Sequence, residues 1–166
     1  MSMRKATVLA GLVLAVAALS PVSALAKAGG TDRPVKGIAS GTVSINVPGL
    51  AVTGDFTGIV AHLGKVTSHL DAGIALTPQG TAVVTGAQTV VGANGDQLTG
   101  DVTITGPAPT PGVHSNIGVI TVTGGTGRFE DASGELRVSS EATPFSFDGV
   151  TLLESLESKL RGRLSY

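Results

Sequence analysis

Three histidines, His62, His69 and His114, are the side chains of this 166-residue chain with the right acidity to move a proton near neutral pH. His62 is the most informative. It extends the alternating series Val52, Gly54, Phe56, Gly58, Val60, so a period of two places it on the apolar side of its strand. That side is an interior, and an imidazole there would orient a ligand or carry a proton; the structural alternative is a buried ring held by a backbone carbonyl beside Gly64. Phe56 shares the face, and Ser68 falls on the apolar side of the next segment, so His62, Phe56 and Ser68 form the candidate ligand-binding set. His69 lies on the polar side with Thr67 and Asp71 and is expected to be solvated. His62 and His69 face opposite ways, which argues against a shared metal. Asn94-Gly95-Asp96 offers too few oxygens for calcium. His114 sits in a proline-rich loop with no carboxylate near it in sequence and receives no role. No metal or cofactor is expected.

Other chemistries fail on residue type. The chain has no cysteine, which removes a thiolate nucleophile and a cysteine-ligated metal. No G-x-S-x-G elbow is present. Asp55, Asp71, Asp101 and the pair Glu130-Asp131 read as outward or loop positions, a poor basis for paired-carboxylate catalysis. The stretch VTGGTGRFEDASG, Val122 to Gly134, invites a phosphate-cradle reading, but it lacks G-x-x-x-x-G-K-[ST] and no long helix follows it. As a turn it is consistent. Gly124, Gly125 and Gly127 permit left-handed backbone, Phe129 is free to tuck into a core, and Arg128 is free to reach a carboxylate.

The elements that must position these residues are strands. Apolar and polar residues alternate over 39–47, 52–60, 65–76, 97–105, 116–123, 135–139 and 160–166, with a less regular segment at 81–92. Pro48-Gly49, Pro78-Gln79-Gly80, Asn94-Gly95 and the loop 106–112 separate them. Asn94-Gly95 reads as a tight type I′ hairpin. Eight strands, each with one apolar face, predict an all-β fold: an eight-stranded antiparallel barrel, closed so that no edge is left open. Thr151-Leu152-Leu153-Glu154 has the form of a capping box, which predicts a short helical turn over 151–158, before the last strand. The inward glycines 54, 58, 100, 118 and 162 either leave room for a ligand or let strands bend.

Composition bounds the rest. Arg4 and Lys5, the apolar run 6–19 and the small residues before Ala26 read as a signal peptide over 1–26, giving a secreted or periplasmic protein with no stable membrane insertion after cleavage. Residues 27–36 are expected to be a flexible lead-in and 37–166 the barrel domain. Without Arg4 and Lys5 the chain carries nine basic and twelve acidic residues and no basic run, so no nucleic-acid partner is expected. Four Phe, one Tyr and no Trp are too few for the aromatic girdles of an outer-membrane barrel. Oligomeric state is not written in the sequence.

Gly124 to Gly134 resembles a segment shared by plant dirigent proteins and allene oxide cyclases, and more closely a group of small secreted bacterial proteins expected to form the same barrel. His62 to Thr67, Ala93 to Leu98 and Gly162 to Tyr166 resemble that group in the same order. The resemblance implies a barrel with a cavity for a small, mostly apolar molecule. It carries no catalytic residue across. Three functions stay open: ligand binding, a cofactor-free cyclase or isomerase, and a structural barrel with a filled core.

Overall fold

The computed structural model describes residues 30–109 and 112–166; the signal peptide expected at 1–26 lies outside them. Eight strands follow in order: β1 Asp32–Asn46, β2 Ala51–Val60, β3 Gly64–Leu76, β4 Thr81–Val91, β5 Gln97–Pro107, β6 His114–Gly125, β7 Ser133–Phe147 and β8 Thr151–Ser165. Each pairs antiparallel with its neighbours, and β8 closes on β1. Following one row of cross-strand partners from Glu154 through Val43, Gly54, Leu70, Gln88, Gly100, Val122 and Gly134 returns to β8 at Leu164, ten residues further on. That stagger tilts the strands and fixes a girth that side chains can fill or that can hold one small ligand.

The alternation read from sequence is the wall of this barrel. Val43, Ile45, Val52, Phe56, Val66, Leu70, Leu98, Val102, Ile120, Leu136 and Leu152 belong to one buried cluster fed by seven of the strands, with Ala82 adding β4. The Phe56 ring occupies the space left by its neighbours Gly41 and Gly54, since a Cβ on either would come within 2.7 or 2.9 Å of it. At two of the inward glycines neighbouring backbone approaches closely. A Cβ on Gly58 would land on the Ile38 carbonyl oxygen, and one on Gly162 on that of Glu135, so both positions require a residue without a side chain where neighbouring backbones close in.

Two expectations change. The segment 151–158 is strand throughout, paired with β1 and β7. Leu152, Leu153 and Leu156 mimic one helical side, but β8 has partners on both edges, and ladder hydrogen bonds outweigh a capping motif. Among the described residues the helical turn is the 3-10 turn Gly127–Phe129, ahead of the last two strands. The lead-in also ends earlier. Residues 32–36 extend β1 and pair with β8 alone, since pairing with β2 starts at Gly37. Pro34, with no amide hydrogen, suits such a one-sided stretch.

The two barrel ends differ. Turns 47–50, 77–80 and 148–150, with residues 108–109 and 112–113, form the rim end. Val47, Leu50, Leu76, Val113, Phe145, Phe147 and Val150 stand exposed on or beside them. The other end is plugged by Val35, Leu63, Phe129, Ala132 and Leu164, each at most 3% exposed.

Candidate functional site

Of the three expected ligand residues, Phe56 and Ser68 stand opposite each other and His62 lies apart. β2 stops at Val60, and the turn that follows puts His62 in left-handed backbone at φ 70°. The period of two therefore ends before it, and Leu63 takes the inward position. His62 is exposed; its Nε2 donates to the Pro34 carbonyl at 3.1 Å, and its own carbonyl accepts from Arg128. It is a strut of the plug. Phe56 is core. Ser68, its cross-strand partner, accepts from Gln88 Nε2 at 2.6 Å.

The glycine-rich stretch is the rest of the plug. Gly127 has φ 59°, and a Cβ there would strike the Asp96 carboxylate. Thr126 and Gln97 exchange hydrogen bonds, Thr126 N to Gln97 O at 2.9 Å and Gln97 N to Thr126 Oγ1 at 3.0 Å. Phe129 meets Tyr166 edge-on at 4.8 Å, Arg128 stacks 4.7 Å from the Phe129 ring, and Arg33 lies 5.0 Å from that of Tyr166. Arg128 Nε is also 3.5 Å from Asp96. Asn94-Gly95 does lie in the β4–β5 hairpin, but in a wider loop than a type I′ turn. Gly95 has positive φ and Asn94 does not; Asn94 instead shapes the loop through its side chain, donating to Asp96 at 2.7 Å. All four stretches quoted for the resemblance thus meet at one end, where they hold the barrel shut.

The inward polar group that sequence reasoning missed is at the rim end. Glu154 of β8 points into the barrel, is 3% exposed, and its Oε1 has no hydrogen-bond partner among the described residues. His114, at the start of β6, places Nε2 3.8 Å from that oxygen. His114 Nδ1 donates to the Gly112 carbonyl at 3.1 Å, so in the neutral ring Nε2 is the acceptor nitrogen. Burial pushes the Glu154 carboxyl above its usual range, with the His114 charge pulling the other way. An unpaired carboxyl facing an acceptor nitrogen is a one-proton acid–base pair. Val84, Ile104 and Asn116, inward residues of β4, β5 and β6, are only partly buried on the His114 side, with Val84 and Ile104 packed against the core. The signal for Glu154 was a lone acid in the inward series Leu152, Leu156, Leu160, Leu164, hidden by the helical reading.

His69 is exposed as expected, yet bracketed by acids. Its Nδ1 lies 2.7 Å from Asp55 and its Nε2 3.3 Å from Asp71. The Asp55 hydrogen bond is the main influence raising its pKa. No group of three or more ligating side chains among the described residues could hold a metal ion. Two clefts, of ≈ 1150 and ≈ 480 Å³, are lined by outward residues such as Ile38, Ile59, Asp55 and His69 together with inward ones such as Ala39 and Ser140; Phe56 and Ser68 both line the smaller. Comparison of the chain with family models, with curated proteins and with solved structures gives no match.

Proposed function

We propose that this is an exported barrel of the allene-oxide-cyclase and dirigent kind that binds a small, mostly apolar molecule at its rim end. The observation that carries the reading is Glu154, a buried carboxyl with an unsatisfied oxygen facing His114. Buried polar atoms without partners are rare and costly, and a ligand hydroxyl or amine would satisfy this one. The accessible inward surface of Val84 and Ile104 supplies apolar contact, and the exposed rim supplies a way in. A cofactor-free isomerase is the second reading, because a single proton between Glu154 and His114 Nε2 is available to a substrate held there.

The test is native mass spectrometry of protein from its own host, alongside Glu154→Gln and His114→Gln. Retained folding with loss of the co-purified molecule in both variants supports the site. A molecule that stays bound in both variants, or wild-type protein that carries none, leaves a structural barrel.

A further inference from the structure

The chain has no basic run, yet closing the sheet makes one. Arg137 on β7 stands opposite Arg161 on β8, and Arg161 stands opposite Lys36 on β1. All three are exposed on outward positions. The next row holds two more cations with two isoleucines between them: Lys159 faces Ile38, Ile38 faces Ile59, and Ile59 faces Lys65. Like charges directly opposite one another on adjacent strands destabilise a sheet, and here two such pairs occur in succession. Little offsets them. Glu135 lies 3.9 Å from Arg137 Nε, and no ion pair among the described residues engages Lys36, Lys65, Lys159 or Arg161. Glu141 and Glu157, the next acids by register, sit one row beyond Lys159. The acids Asp55, Asp71 and Asp101 occupy outward positions on β2, β3 and β5. On the outward positions of β7, β8 and β1, Lys36, Arg137, Arg161 and Lys159 occupy two adjoining rows, flanked by Glu141 and Glu157 on one side and by Glu135 and the Asp32–Arg163 pair on the other.

Beside these cations, Ile38 and Ile59 are 61% and 59% exposed. With Lys65 and Lys159 they line the larger cleft, whose far margin holds Glu141 and Glu157. The five aromatic side chains lie in the core, the plug or the rim, so this face offers bases or sugars nothing to stack on. We propose that the face docks on an anionic lipid surface, its cations meeting headgroup phosphates while Ile38 and Ile59 enter the acyl boundary. Adjacent cations and exposed aliphatic side chains are the combination that holds peripheral proteins at such a surface.

The closed sheet is complete between residues 32 and 165, so the chain from Lys27 suffices for the test. It omits the apolar N-terminal segment, which would itself partition. Co-sedimentation is measured with vesicles of phosphatidylcholine alone and of phosphatidylcholine enriched in phosphatidylglycerol, at low and high salt. The expected result is binding to the anionic vesicles only, weakened by salt, with Lys36→Gln and Arg161→Gln each lowering partition about fivefold. Ile38→Ser with Ile59→Ser should weaken binding while leaving its salt response unchanged. Removing a repelling cation should leave the melting temperature level or higher; if a cation variant unfolds, the isoleucine variant and the salt response decide. Equal binding to both vesicles, or none, overturns the proposal. So does binding to a soluble polyanion such as heparin or duplex DNA that the isoleucine variant leaves intact, which would assign the patch to a polymeric anion.

Discussion

Phe129→Ala measures how much the plug contributes to the fold. The ring is 0% exposed, meets Tyr166 edge-on at 4.8 Å and is covered by Arg128 at 4.7 Å. A phenylalanine buries roughly 150–250 Å², worth about 4–6 kcal/mol at ~25 cal/mol per Å². A compact unfolded state trims that by roughly 10–40%. The lost edge-on contact restores ~1 kcal/mol, so the expected cost is about 4 kcal/mol, within the usual range for this truncation. Against a total stability of roughly 5–15 kcal/mol, that is a large share. Urea unfolding followed by circular dichroism should show the midpoint falling by about 2 M at an unchanged slope. The control is internal. Phe145 and Phe147 are each 58% exposed on the rim, and truncating either should cost less than about 0.5 kcal/mol. A Phe129→Ala midpoint no lower than that of Phe145→Ala would refute the idea that the glycine-rich stretch seals the barrel.

Glu154 gives a pH test. A carboxyl whose pKa is raised above its usual 4.5 binds its proton more tightly when folded, so its stabilising contribution is full below that value and is lost as pH rises through the folded pKa. Melting temperature should therefore fall more steeply with pH in the wild type than in Glu154→Gln; parallel curves would count against it. Gly127→Ala combines φ 59° with a collision against Asp96 and should cost about 1–2 kcal/mol or more by thermal unfolding; an unchanged melting temperature would mean the loop adapts freely. Deleting residues 161–166 removes β8 partners of both β1 and β7 and should abolish soluble folding, read as loss of the monomer peak in size-exclusion chromatography.

Most of the strands were legible because they carry a period of two that survives into the wall of the barrel. Val52 through Val60 and Leu98 through Ile104 needed no context. What was not legible depended on partners elsewhere in the chain. His62 continued a pattern whose strand had already ended, and a turn with left-handed backbone leaves no trace in alternation. Residues 32–36 became strand only because β8 is long enough to reach them. Glu154 and His114 lie 40 residues apart in sequence and meet only across the intervening β7, so neither looked partnered. The cationic face was hidden for the same reason: Lys36, Arg137 and Arg161 are scattered along the chain and adjacent only once three strands are side by side.

The seam between β1 and β8 has a kinetic meaning. Arg163 reaches Asp32 at 2.5 Å, two residues 131 positions apart, and the strands they begin and end are paired along 15 positions each. Every other seam joins strands consecutive in the chain and zips from a turn; this one must wait for nearly the whole polypeptide and carries the largest loop-closure entropy. Until residue 165 is available, β1 and β7 each present an unpaired edge. A chain threaded through a pore from its N-terminus would therefore remain unlocked during transit and latch only as its last strand emerges, with aggregation competing during that interval.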